Sequence, residues 1–156
     1  MDTVEVLGEI GRALAGPGDR RARFEHAAET IRIRAGGSYR WVGIYDVTPE
    51  EIAIVAWSGP GEPAHPRFPV SEGLCGDAVW RGETVVVPDV TRDPRYLTTF
   101  GSTRSEIVVP IREPGTGRAL GTLDVESEKT DAFGEEDRAL LERCAEELAR
   151  RGRFEV

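Results

Sequence analysis

Ser105-Glu-Ile-Val-Val-Pro-Ile111 and Leu120-Gly-Thr-Leu-Asp-Val-Glu-Ser127 are the two stretches that decide how this chain folds. Both are rich in Val, Ile and Leu, which suit a pleated, half-buried surface, so both read as strands. Glu113-Pro-Gly-Thr-Gly117 between them is turn chemistry and joins strands 105–112 and 118–127. Each strand also carries acid where apolar residues belong: Glu106 on the first, Asp124 and Glu126 on the second. Asp124 and Glu126 are two apart, so they share one face. A carboxylate taken out of water costs several kcal/mol unless a cation or hydrogen-bond donors meet it. These strands offer no obvious Lys or Arg for the purpose. Two readings follow. Either this face of an antiparallel sheet is wet, or the acids line a hollow whose occupant brings the positive charge.

Upstream, the period of the apolar residues changes twice. Residues 2–15 repeat Val4, Leu7, Ile10 and Leu14 at helical spacing, and Gly16-Pro-Gly-Asp19 breaks that helix. A second helix spans about 20–35, with Phe24, Ala27, Ala28, Ile31 and Ile33 as its stripe, closed by Gly36-Gly-Ser38. Alternation then takes over. Arg40–Asp46 and Ile52–Trp57, around the turn Thr48-Pro-Glu-Glu51, form a hairpin over 40–57. Residues 58–66 hold three Pro and two Gly and form a loop. Phe68-Pro-Val70 suits a short edge strand, where proline is tolerated. Leu74–Trp80 is a short helix ended by Arg81-Gly82, and Thr84–Val87 a brief buried strand. A loop from Pro88 to Arg104 follows, with a turn at Asp93-Pro-Arg-Tyr96. A loop that long inside a compact domain is often functional. The last helix covers about 134–151, with Leu140, Leu141, Ala145 and Leu148 as its stripe. Its acidic first turn and basic Arg150-Arg151 both suit the helix dipole. The expected fold is α+β: one domain over 1–156, an antiparallel sheet of five or six strands with helices packed on it.

Composition narrows the function. The 156 residues are 39% hydrophobic and 31% charged, enough for one well-solvated domain with a real core. The net charge of −8 argues against nucleic acid and against an anionic membrane surface as partners. The acidic N-terminus lacks a signal peptide's basic start and long apolar run, so a cytoplasmic protein is expected. Two cysteines, Cys75 and Cys144, make no disulfide framework, and with His26 and His65 they form no zinc spacing. No Gly-rich phosphate loop is present. No metal and no cofactor are expected.

Several motifs in this order resemble a GAF domain: Gly73-Leu-Cys-Gly-Asp-Ala-Val79, Val86-Val-Pro-Asp-Val90 and Gly121-Thr-Leu-Asp-Val-Glu-Ser127. The resemblance spans nearly the whole chain. Within GAF domains it is similar to the free methionine-(R)-sulfoxide reductases, through Trp41-Val-Gly-Ile-Tyr45, Gly73-Leu-Cys-Gly76, Ser105-Glu-Ile-Val108 and Leu123-Asp-Val-Glu-Ser127. In those proteins acidic groups on the last two strands grip the amino group of a free amino-acid substrate, and aromatics of the first strand wall its side chain. The resemblance therefore implies one pocket formed by Trp41, Tyr45, Glu106, Asp124 and Glu126. An ammonium has three donors and no acceptor, so a carboxylate cluster meets it well. Glu126 departs from the family's Asp by one methylene.

The family's chemistry transfers less well. It implies a thiolate that attacks the sulfoxide sulfur and a second cysteine that resolves the intermediate as a disulfide. The catalytic cysteine's position falls at Thr99 and a second falls near His65; only Cys75 is present. Cys75, near a helix start, either has a reactive thiol or simply packs there. Cys144 reads as a small core residue. His65 is expected to be exposed. Arg67, Arg92, Arg95 and Arg104 either grip a ligand carboxylate or are solvated. Tyr96 and Phe100 either form a lid or anchor the long loop.

The expected function is a cytoplasmic GAF sensor of a free amino acid or similar ammonium-bearing ligand, acting in signal transduction and possessing no catalytic residue. Two alternatives stand beside it. One is a reductase working through Cys75. The other is a pocketless interaction module. A cyclic nucleotide's phosphate would be repelled by the acids, and the cysteine context usual for an attached bilin is not evident. The stripes at 4–14 and 140–148 permit a homodimer through the terminal helices.

Overall fold

Trp41–Val47 (β1) and Glu51–Ser58 (β2) form the expected hairpin, and alternation along them sends successive side chains to opposite faces. The computed structural model describes residues 2–35 and 37–154. Arg67–Pro69 (β3) pairs with β2 at the sheet edge, Val85–Val87 (β4) lies at the other edge, and Ser105–Arg112 (β5) and Ala119–Ser127 (β6) fill the middle. The sheet has six strands in the order β3-β2-β1-β6-β5-β4, and every pairing is antiparallel. It belongs to the α+β class.

Three helices cover one face: Thr3–Ala15 (α1), Arg20–Arg34 (α2) and Glu135–Arg151 (α4). Asp2 and Asp19 cap the first two by accepting backbone N–H bonds. Asp137 accepts from the Gly134 N–H at 2.9 Å and from the Tyr39 hydroxyl at 2.6 Å, which ties the start of α4 to the chain entering β1. Between helices and sheet lies the larger core, with Ile10, Phe24, Ile31, Ile44, Ile107, Ile111, Leu123, Leu141 and Leu148 buried. The other face is covered by Gly73–Arg81 (α3) and by the segment from Pro88 to Arg104. That segment turns at Pro94-Arg95 as expected, and adds a short 3-10 turn at Val90–Arg92.

Two apolar stripes differ from expectation. α1 buries Val6, Ile10, Ala13 and Leu14, while Val4 is 81% exposed. On α2, Ile33 is 58% exposed. Each misplaced residue lies two positions from a buried one, Val4 from Val6 and Ile33 from Ile31. Two residues are about 200° around an α-helix. Gly36, expected to help end α2, lies outside the described residues, as do Met1, Glu155 and Val156 of the single domain. The stripe Leu140, Leu141, Ala145 and Leu148 is buried in the chain's own core, together with Ile10 and Leu14. Among the described residues, no helix is long and apolar enough to cross a membrane.

Candidate functional site

Register builds the site. Trp41 pairs with Glu126 across β1 and β6, and Glu126 pairs with Glu106 across β6 and β5, so these three stand in one row. The next row on the same face is Gly43, Asp124 and Val108, and the next contains Tyr45 and Thr122. Alternation thus brings all five expected residues to the face under α3 and the long loop. Gly43 is required between the two aromatics: a Cβ there would lie 2.2 Å from the Trp41 ring, so the absent side chain is the space that the indole occupies. Trp41 Nε1 donates to the Gly61 carbonyl at 3.0 Å, and Phe100 meets the indole edge-on at 5.8 Å.

The face is dry. Glu106, Asp124 and Glu126 are 4%, 2% and 1% exposed. One carboxylate oxygen from each lies within 4.8 Å of the others. None forms an ion pair among the described residues. Asp124 Oδ1 and Glu126 Oε2 are buried with no hydrogen-bond partner. The other oxygen of Glu126 accepts from Thr103 Oγ1 at 2.8 Å and from the Tyr96 hydroxyl at 3.1 Å, both on the long loop. Like charges this close cannot all ionise in a low-dielectric setting. Burial and the neighbouring acids push Glu106 well above the usual carboxylate range. Burial pushes Asp124 up to about 6, and burial with the Asp124 charge pushes Glu126 up to about 8. The contact between the two carboxyls raises Glu106 further and lowers Asp124, so a shared proton favours Glu106.

The hollow beside these acids has only about 20 Å³ of free space, room for about one water. Tyr45, Glu106 and Asp124 line it, whereas Trp41 and Glu126 do not. His65, Cys75 and Thr99, which come from three separate segments, line it too. His65 is exposed, as expected, yet reaches the rim. The Cys75 thiol is buried, accepts a hydrogen bond from Thr122 Oγ1 at 3.4 Å, and is pushed up by burial and by Asp124. Cys144 is buried among the helices.

A groove of about 710 Å³ runs outside, lined by Val70, Trp80, Pro94 and others, and shares Gly73 and Leu97 with the hollow. A further cleft of about 600 Å³, near Arg112 and Arg138, has none of the buried acids. Volume alone does not select the site; buried unpaired charge does.

The four arginines considered as grips for a ligand carboxylate are engaged elsewhere. Arg67 pairs with Glu51 at 3.1 Å and Arg92 with Asp89 at 3.6 Å. Arg95 holds Asp93 and Asp77, each at 2.5 Å, and Arg104 donates to the Gly101 and Thr103 carbonyls. Tyr96 and Phe100 both fasten the loop onto the site, through Glu126 and Trp41. Thr103 and Thr122 escaped sequence reading, since a lone threonine carries no signal of the side chain it will meet. Although the sequence suggested no metal, the three acids are the one cluster among the described residues with ligand atoms spaced for an ion.

Comparison with known proteins agrees with this architecture. The GAF domain family matches residues 19–151. GAF domain-containing protein A of Dictyostelium discoideum is 31% identical over 137 residues, covering 87% of this chain and 83% of that protein. The free methionine-R-sulfoxide reductase of Saccharomyces cerevisiae is 34% identical over 121 residues, covering 77% of this chain and 64% of the yeast protein. The crystal structure of free methionine-R-sulfoxide reductase from Neisseria meningitidis superposes with a TM-score of 0.82 at 36% identity, covering 96% of this chain and 87% of that one. This chain belongs to the GAF domain family and is related to the free methionine-R-sulfoxide reductases.

Proposed function

We propose that this GAF domain binds a small ammonium-bearing ligand of the free-amino-acid class, methionine or its sulfoxide first, and acts as a sensor that does not reduce sulfoxides. The observation that carries the reading is the buried acid triad with two unpartnered oxygens and, among the described residues, no cation paired with it. An ammonium supplies three donors and a charge that the triad lacks. A hard metal ion is a poorer match, because it favours six or more oxygen ligands and the triad brings one close oxygen from each of three residues. Trp41 and Tyr45 suit an apolar side chain. Gly73, Leu74 and Cys75 open α3 at the hollow, and the first N–H groups of a helix, which have no intrahelical acceptor, suit a carboxylate. An amino acid is much larger than one water, so binding requires Leu97 and Thr99 to move outward.

The thiol chemistry supports binding over reduction. Thr99 and His65 stand where the resemblance implies cysteines, and a threonine hydroxyl is not ionised near neutral pH. The thiolate is the nucleophilic form, and the surroundings of Cys75 disfavour it. The reductase reading rests on Cys75 lining the hollow and on the activity named for the yeast and Neisseria relatives. There Cys75 would take the sulfoxide oxygen as a sulfenic acid, an external thiol would expel that oxygen as water by forming a mixed disulfide, and a second external thiol would reduce the disulfide to restore Cys75.

Calorimetry against an amino-acid panel, paired with an NADPH-coupled thioredoxin assay on free methionine-(R)-sulfoxide, tests both. The expected result is saturable binding with no turnover. Turnover abolished by Cys75→Ser moves the assignment to a reductase. Silence across the panel, with a stable dimer, moves it to an interaction module.

A further inference from the structure

On the opposite side of the sheet, in the helical layer, the two ends of the domain bring basic runs together. Arg20-Arg-Ala-Arg23 opens α2, and Arg150-Arg-Gly-Arg153 closes α4 and leaves it. Four of these arginines, Arg20, Arg23, Arg151 and Arg153, line one cavity of about 240 Å³ floored by Leu14 and Phe24. In a chain of net charge −8 this is an unusual concentration of one sign.

The neighbouring acids do not exhaust it. Arg20 is committed to Asp46 through both terminal nitrogens and lies over the Phe24 ring, its guanidinium carbon 4.9 Å from the centroid. Its Nε remains buried without an acceptor. Arg151 donates its Nε to Glu147 at 2.8 Å. Arg23 and Arg153 have no ion pair among the described residues, and the Arg23 Nε is also buried without an acceptor. Among the described residues the only acid lining the cavity is Asp19, whose carboxylate is already accepting the Ala22 N–H at 2.9 Å. The backbone is fitted closely here. A Cβ on Gly152 would lie 2.5 Å from the Leu148 carbonyl oxygen and 3.0 Å from the Phe24 ring, so only glycine lets the chain turn tightly and present Arg151 and Arg153 together.

We infer that this cavity is a binding site for a small dianionic phosphoryl group, separate from the acid-lined hollow on the other face. Arg23 and Arg153, which have no ion pair among the described residues, match two negative charges, and the Arg20 and Arg151 guanidiniums line the same cavity. Guanidinium is the side chain whose fixed fork fits such oxygens best. The volume admits inorganic phosphate or a short phosphate monoester. The overall negative charge does not forbid this, because at physiological salt charges beyond about 8 Å are largely screened and the local arginines dominate.

Titration calorimetry with inorganic phosphate, and separately with glycerol phosphate, tests the inference at constant ionic strength against chloride. Wild type should bind phosphate saturably, and Arg23→Gln and Arg153→Gln should each weaken it at least about tenfold. Arg143→Gln, on the exposed side of α4, should leave it unchanged. Arg153 lies beyond α4, so its variant keeps the fold, which far-UV circular dichroism verifies. Tighter binding of glycerol phosphate would identify the monoester as the natural form; tighter binding of phosphate would identify the free ion. Chloride-like, non-saturable heats, or equal phosphate affinity in both glutamine variants and wild type, would overturn the site.

Discussion

Replacing Glu126 by glutamine removes an ionisable group from the acid triad while keeping its shape. The amide oxygen can still accept from Thr103 and Tyr96, as the carboxylate does now. What disappears is a proton equilibrium. In the unfolded chain a glutamate titrates near 4.3, whereas in the fold burial and Asp124 push Glu126 up to about 8. Between those values the folded state holds a proton that the unfolded state has released. Stability is then fully present below the unfolded value and falls as pH rises toward the folded one, at about 1.4 kcal/mol per pH unit per proton. From pH 6 to pH 8 the single site at Glu126 costs roughly 2 kcal/mol. For a domain of this size that lowers the melting temperature by about 4–8 °C. Calorimetric melts of wild type and Glu126→Gln across pH 5.5–8.5 measure it. Wild type should lose stability steadily through the interval. The glutamine variant should decline less steeply, by about one proton's worth, with Glu106 and Asp124 still contributing. A wild-type melting temperature that stays flat or rises over pH 6–8, or a variant that falls just as steeply, refutes the buried-acid account. The same physics predicts that an ammonium ligand helps most at high pH, where the triad is short of protons.

Other outcomes follow from single contacts. Asp124→Asn should weaken the amino-acid ligand roughly 10- to 100-fold, the worth of one charge-assisted hydrogen bond, and unchanged calorimetric affinity would place the ligand elsewhere. Gly43→Ala should destabilise the fold by about 1–3 kcal/mol through overpacking, and should shift tryptophan fluorescence as the Trp41 ring is displaced; a silent alanine would contradict the 2.2 Å approach. Trp80→Ala should leave the unfolding free energy within about 0.5 kcal/mol of wild type, because that ring is 87% exposed. Cys75 and Cys144 should resist alkylation at neutral pH until the protein unfolds, since both are buried and burial pushes Cys144 up to about 12; rapid native-state labelling of Cys75 would revive the reductase reading.

Local pattern determined most of the framework. Periods of two and 3.6 residues separate strands from helices, and turn residues mark the joints, so all four helices and six strands lie within a few residues of where the sequence places them. Alternation also put Asp124 and Glu126 on one face, and antiparallel order set Glu106 and Trp41 beside them once the register was fixed. The identity of the buried stripe on α1 was not legible, because Val4 and Val6 are equally apolar and only the flanking helices decide which is covered. Nor was the company of each charge. Arg95 near the long loop looked free, yet meets Asp77 from α3 and Asp93 from its own turn. Arg23 and Arg153 are far apart in sequence and share a cavity only through packing of α1, α2 and α4.

Sequence by itself thus determined the α+β class, the strand alternation and the surplus of acid on two central strands. Only the tertiary structure decided that this acid is dry, that no arginine among the described residues pairs with it, and that Cys75, His65 and Thr99 meet around it. The physical reason is range. Secondary structure follows from neighbours along the chain, whereas the free energy of a charge depends on the water and counter-charges around it, which folding brings together or excludes.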